Sequence, residues 1–454
     1  MSRIPFPLGH EGSESLPQTR QTLVNCFNNG KGTILSRPGI TQLTTTSKVA
    51  RGQFEWNGNL YQVVSNDLIK ITNTDTGANS LIGTIAGAAP IETAVGFNHA
   101  VIVVRGGQLY TLSTTDVLTD ITANSNFVSC VDVTHIKGRF VYIPTDGSVA
   151  FFSEVDAAGT VLAASFFDSE ELPDKNNSCF NLNNTLYIGG TDSIAPFRDT
   201  GASPVPYLAI PGALIRNGYI GALLEQELTF YFIGRKKDHG AGIFQVGAGQ
   251  APKISNERID LLLTTYTDAE LADIIPGRII WRGYDISTFE FPRDSIGFFN
   301  GQWFILERVD NGISRPWGGG YITEFEGEYF TAFNDKIGKF DTVNLDYADP
   351  VTKIIGVAAQ QGDVERVTIQ SLEIGFSQGF NPSVGTVGLR MTRNNVQFGP
   401  VQYLDLGNIG EYATRLRWNP PGGLGNFEGF FGFEIFTTED VIFSGNFITA
   451  NIRQ

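Results

Sequence analysis

Histidine, cysteine and methionine are scarce in this chain: four, three and two residues among 454. His10, His99, His135 and His239 stand far apart, so none forms the close pair from which a metal centre is usually built. Cys26, Cys130 and Cys179 are an odd number at wide spacing with no CxxC, which argues against a disulfide framework or a zinc knuckle. All three are expected to be structural. HExxH and GxxxxGK[ST] are absent, and the glycine-rich GAGQAP, Gly247 to Pro252, has neither a following lysine nor a helix directly after it, so it is no phosphate loop. We expect no catalytic residues, no metal and no cofactor.

Positive charge is also in short supply. Lys and Arg number 32 against 47 Asp and Glu, a net charge of −15. A protein that grips nucleic acid by neutralising phosphates needs clustered Lys and Arg, so that class is disfavoured. A wall past which duplex DNA slides is not, because acidic surface repels phosphate. Nor does any run of about 18 apolar residues occur, and the first residues, MSRIPFPLGHEGSES, lack the apolar core of a signal peptide. The expectation is a chain made and kept soluble in a cytoplasm, with no membrane insertion.

What is abundant is glycine, 52 residues, together with 34 Phe and 14 Tyr. This is the palette of turns and aromatic strands, hence an all-β protein. One phrase recurs. WNGNLYQVV at residues 56–64 places a tight-turn dipeptide before an apolar run. Similar phrases follow around Gly107, Gly138, Asn184, Glu227, Gly301 and Gly327. Seven such hairpins, averaging about 45 residues apart, match four-stranded propeller blades. The phrase reads as the middle hairpin of each blade.

Three units are predicted: an extended N-terminal arm over 1–32, a β-propeller of about seven blades over 33–350, and a C-terminal β-sandwich over 351–454. The arm is expected to lie on a neighbouring subunit. TILSRPGITQL, residues 33–43, is placed to complete the last blade. After 350 the chain alternates apolar and polar residues at strand length, and only two of the fifteen excess negative charges fall there. One helix is expected within 266–277, with Thr267 and Glu270 as its capping box and Pro276 and Gly277 as its stop, packed on the propeller's edge.

Few residues offer chemistry. Asp168, Glu170, Glu171 and Asp174 in FFDSEELPDK would be a carboxylate pair only if the propeller were a glycosidase; we read them as a solvated loop. Arg235, Lys236 and Lys237 form the densest basic cluster and read as a hairpin tip able to contact phosphate or an acidic subunit. With Gly247, Gln250 and Pro252 of GAGQAP they are the candidate interface residues.

Three stretches together resemble the packaged-DNA stabilisation proteins of short-tailed bacteriophages. SRPGI at 36–40 is similar to the family's opening PG segment. FFDSEELPDK followed by TLYIGGTDSIAPFRDTGASPVPYLAIPGALIRNGYIG resembles its run of PD, an apolar strand ending in Gly, TG and a glycine-bounded linker. VGAGQAPKISNERIDLLLTTYTDAELAD resembles its GxGQA…IS…I…YT…E signature almost throughout. Ala195 stands where the family commonly has an acidic residue. The resemblance implies a virion structural protein of the phage tail, a homo-oligomeric and hexameric ring beneath the portal and its adaptor. Such a ring closes the DNA channel, lets double-stranded DNA pass without sequence-specific binding, and serves as a platform for a tail needle or tip and for tailspikes or fibres. Two other readings remain at this point: a tubular tail nozzle, and a glycan-binding or glycan-cleaving propeller with aromatic and acidic side chains at one end of its channel.

Overall fold

The computed structural model describes all residues except 1, 14–18, 124–125, 127–128, 169–173, 227, 248–249, 311–312, 361–365, 378–384, 395–396, 413, 429 and 454. Apart from two short helices, its regular structure is β-sheet. Seven antiparallel up-and-down units follow one another. Blade 1 runs from Ala50 to Thr84, blade 2 from Ile91 to Asp120, blade 3 from Cys130 to Asp168 and blade 4 from Asn176 to Ala209. Blade 5 has three strands between Gly218 and Val246, blade 6 spans Ile275 to Ile305, and blade 7 joins Tyr321–Phe325, Glu328–Phe333 and Lys336–Asp341. Their first strands pack side by side in chain order, and the first strand of blade 7 meets that of blade 1, so the ring is closed. Closure uses the expected segment: Gly39–Thr45 pairs antiparallel with Lys336–Asp341 as the fourth strand of blade 7.

The recurring phrase has a physical cause that its spacing conceals. The second strand of a blade lies between its own neighbours and the two adjacent blades, so both of its faces are covered. It must therefore be apolar throughout instead of alternating. Asn59–Val64, His99–Val104 and Arg139–Pro144 are each buried along all but the first residue. The turn before such a strand joins it to the innermost strand. At Asn57-Gly58 both central residues have positive φ, 50° and 66°, the signature of a type I′ turn. Lys137-Gly138, Asn183-Asn184 and Glu326-Gly327 repeat it. The phrase is thus the first hairpin of a blade, not the middle one. The copies at Gly107 and Gly301 lie in second and third hairpins, which is why the intervals are irregular. Glu227 lies outside the described residues, and Arg282-Gly283 is a further first hairpin that the sequence reading passed over.

Six blades are sheets of their own, and the seventh, blade 6, runs on into a curled nine-stranded sheet. Its last strand pairs in parallel with Gln21–Val24, which leads to Lys353–Gln360, Phe430–Thr437, Thr386–Thr392 and Gln402–Asp405. A second sheet carries Cys26–Asn28, Thr33–Ser36, Phe443–Arg453, Val367–Phe376 and Leu416–Trp418, flanked by Ser2–Pro5 and Gly425–Phe427. Between the two lies the largest core, with Val357, Phe433 and Ile435 facing Ile369, Leu372 and Ile448.

The N-terminal segment is therefore woven into this sandwich, not extended as an arm. Ser2–Pro5 pairs with Phe447–Ala450, and Ile4, Phe6, Leu23 and Phe27 are buried in the same core. Pro5, Pro7 and Pro17 give this stretch the look of an extended arm. Its apolar residues find cover against strands far along the chain, Ile4 beside Ile448 and Phe27 beside Tyr284, Phe299 and Phe304, which no local pattern reveals.

The expected helix forms over Asp268–Ala272, with the Thr267–Glu270 capping box in place. It ends at Asp273, and Ile275–Trp281 is already the first strand of blade 6. A preceding helix, Glu257–Thr264, was not anticipated; Asn256 caps it by accepting from the Ile259 N–H, and Ile259 and Leu263 bury its inner face.

Candidate functional site

The candidate interface residues do not converge. Arg235 ends the second strand of blade 5 and Ala241 begins the third, while Val246 at the far end pairs with Phe230. The basic tip and the GAGQAP loop thus occupy opposite ends of one hairpin, roughly 17 Å apart at strand rise. In an up-and-down blade that separation has a meaning. Turns between strands 1 and 2 and between 3 and 4 lie on one face of the ring, whereas 2–3 turns and blade-to-blade connections lie on the other. Gln250 and Pro252 are exposed on the first face, and Gly247 and Gln250 exchange backbone hydrogen bonds across the loop at 3.1 and 3.2 Å.

Lys236 and Lys237 are exposed on the second face. There Arg235 is committed to the Asp268 carboxylate, so it fixes the short helix more than it faces outward. Lys236 and His239 border a groove of about 610 Å³ against the helix Glu257–Thr264, with Lys253 paired to Asp260 at 2.5 Å on its floor.

The helix Asp268–Ala272 does not pack on the propeller's edge. It sits over one end of the central channel. Ala269 and Ala272 line the same cavity of about 710 Å³ as Glu92, Asp132 and Tyr219, which come from the inner strands of blades 2, 3 and 5. Arg105, at the 2–3 turn of blade 2, donates to Glu92 at 2.5 Å beside it, and across the channel to the Ala272 carbonyl at 2.8 Å and Asp273 at 3.0 Å. Asp132 accepts from Ser178 Oγ at 2.7 Å and from the backbone N–H of Cys179 at 2.8 Å and of Val133 at 2.7 Å. Burial, reinforced by the charge of Glu92, raises its carboxyl to about 7. Sequence reasoning missed this cluster. A signal existed, since IETAV and CVDVTHI each place one acid beside apolar residues in a strand.

No chemistry emerges elsewhere among the candidates. Glu170 and Glu171 lie outside the described residues, and Asp174 is occupied by the backbone N–H groups of Asp192 and Ser193, both at 2.9 Å. His10 is buried, and burial with the nearby Arg258 lowers it to about 3. The three thiols are buried and free, and burial pushes Cys26 up to about 12, so they are inert as nucleophiles. GFSQG at 375–379 has the spacing of a serine-hydrolase elbow. Ser377 follows a sandwich strand and its hydroxyl accepts from the Ile442 N–H at 3.4 Å; Gln378 and Gly379 lie outside the described residues. No group of three metal-ligating side chains occurs among the described residues.

Residues 9–341 match the family model described as Bacteriophage P22 Gp10, beta-propeller. A curated relative, the tail hub protein gp10 of Salmonella phage P22, is 23% identical over 445 residues, covering 92% of this chain and 91% of the relative. Among solved structures, the computationally designed Ika8 protein covers 67% of this chain and all of its own, at 11% identity and a TM-score of 0.40. BamB from Moraxella catarrhalis covers 75% and 96% at 9% identity, also with a TM-score of 0.40.

Proposed function

The chain belongs to the family of Bacteriophage P22 Gp10 β-propellers, and from that premise we propose that it closes the DNA channel of a phage tail as a ring of six copies below portal and adaptor. It is a tail hub structural protein and hence a virion component. The observation that carries the reading is end-to-end similarity to a tail hub protein, over nine-tenths of both chains. The family match runs from 9 to 341, wider than the span from Ser36 to Asp273 in which the sequence motifs lie.

The geometry adds a constraint. A cavity of about 710 Å³, lidded by a helix and crossed by Arg105, has the size of a small-molecule site and not of a duplex conduit. DNA therefore passes between subunits, not down a propeller axis, and the acidic balance of the chain keeps that shared lumen from holding phosphate. Lys236 and Lys237 on one face of each propeller and Gln250 and Pro252 on the other suit a subunit gripped from above and below by different partners: the adaptor on one side, a needle, spike or fibre on the other.

The glycan reading anticipates acids and aromatics at a channel end, and Glu92, Asp132 and Tyr219 have that composition. Their bonding speaks against catalysis. Glu92 is tied to Arg105 and Asp132 to three donors, so neither is free to attack or to protonate a leaving group. We read the chain as non-enzymatic.

The deciding experiment is DNA retention in particles assembled without this chain. Heads that fill and then lose DNA on a density gradient support the plug. Stable filled heads that fail only to infect refute it and move the protein outward, to a nozzle or a recognition device.

A further inference from the structure

Lysine is seldom fully buried without a carboxylate partner. Lys353, the first residue of the sandwich strand Lys353–Gln360, is 2% exposed. Its Nζ donates to Asn344 Oδ1 and to the Glu439 carbonyl at 2.7 Å, and no carboxylate is ion-paired with it among the described residues. The charges that reach it are those of Asp440, Arg37 and Glu439, with the protonated Cys26 thiol nearby; the Asp440 carboxylate itself pairs with Arg282 at 3.1 Å. Burial lowers the Lys353 amine to about 8, so about a tenth of it is neutral at pH 7, against far less for an ordinary lysine. A buried neutral amine against a carboxamide is a nucleophile against its electrophile, since the carbonyl carbon lies one bond behind the oxygen it touches.

We propose that Lys353 and Asn344 join in an intramolecular isopeptide bond once the chain has folded. The Nζ lone pair attacks Asn344 Cγ and a C–N bond forms. The Cγ–Nδ2 bond breaks, one proton passes from Nζ to Nδ2, and ammonia leaves. No oxidant, reductant or cofactor is needed. The product fits the same surroundings: Oδ1 remains a carbonyl oxygen, and the one remaining Nζ–H still donates to the Glu439 carbonyl. What changes is charge, because a buried ammonium becomes a neutral amide and its desolvation cost disappears. Little chain entropy is at stake, as the bridged loop is short. The bond ties the segment leaving blade 7 to the sandwich strand that follows it, where, on the function proposed above, a component loaded by packaged DNA gains from a covalent joint.

Intact-mass measurement of the purified full-length protein tests this. The expected result is a wild-type chain lighter than its sequence by one ammonia, with a branched peptide joining residues 344 and 353 on proteolysis. Lys353→Arg and Asn344→Leu should both return to the sequence mass, and Asn344→Asp should close with loss of water. A wild-type chain at the sequence mass overturns the proposal, and so does an ammonia loss that maps to Asn57-Gly58. Because wild type alone decides, misfolding of a variant does not blur the answer.

Discussion

Arg37 is the residue whose loss should cost this fold most. Its side chain is 1% exposed, and its five N–H donors find five acceptors. Nε donates to Asn25 Oδ1 at 2.8 Å; Nη1 reaches Asp346 Oδ1 and the Pro38 carbonyl, both at 2.8 Å; Nη2 reaches Asp346 Oδ2 and, at 3.1 Å, the Glu307 carbonyl. The guanidinium also lies over the Trp317 ring, 4.8 Å from its centroid. Four segments distant in sequence meet there: the N-terminal strands, the exit from blade 6, the entry to blade 7 and the segment after it. Arg37→Ala leaves the Asp346 carboxylate buried with only the Trp317 indole N–H, at 3.4 Å, from this cluster. Breaking one side of a buried pair costs about 3–5 kcal/mol.

Asp346→Asn should cost less than Arg37→Ala, because an amide oxygen still accepts from the guanidinium. The double variant Arg37→Met/Asp346→Leu should be less destabilised than the sum of Arg37→Met and Asp346→Leu, since no orphaned charge remains. Urea unfolding followed by tryptophan fluorescence reads this directly, with Trp317 as the local reporter. If Arg37→Ala unfolds within about 1 kcal/mol of wild type, the cost of a lone buried charge has been misjudged and the latch is not what joins propeller to sandwich.

Two further outcomes follow from named groups. Burial raises the carboxyls of Asp132 and Glu290 to about 7. Below about pH 4 each is protonated both folded and unfolded; as pH rises, the unfolded chain releases the proton first, so stability should fall from about pH 4 to about pH 7 and then level off. Asp132→Asn and Glu290→Gln should flatten that slope in urea unfolding measured across pH, and a wild-type slope that rises instead would contradict it. Lys236→Glu with Lys237→Glu reverses exposed charge on one propeller face, so unfolding should move by no more than about 0.5 kcal/mol. Incorporation into particles should drop, as read by the amount of this chain in purified virions; undiminished incorporation removes this tip from the interface.

How much of this was legible in the sequence depended on the distance over which each feature is decided. Asn57-Gly58 needs only its own two residues to specify a type I′ turn, and the Thr267–Glu270 box only four, so both could be read from the chain. The apolar second strands were legible too, because a strand covered on both faces cannot alternate. Which hairpin they belonged to was not, since a turn dipeptide looks the same at any position in a blade. The N-terminal segment marks the opposite limit. Gln21–Val24 is a strand only because Ile305 on one side and Lys353–Gln360 on the other supply its partners, and Arg37 is a latch only because Asp346, 309 residues on, returns beside it after the chain has gone round the ring.

That same long-range pairing explains why the site was harder to read than the fold. Gly39–Thr45 closes blade 7 while the strands just before it enter the sandwich, so ring closure and domain junction are made by one stretch of about 25 residues. A propeller closed by its own last blade could open without disturbing the sandwich. Here opening the ring would strip a strand from blade 7, pull Thr33–Ser36 from the second sheet and expose the Arg37–Asp346 pair. The three costs fall together, so the ring and the sandwich should yield as one cooperative unit. For the channel-closing role proposed above, resistance to piecemeal opening would matter more than any single contact the subunit makes.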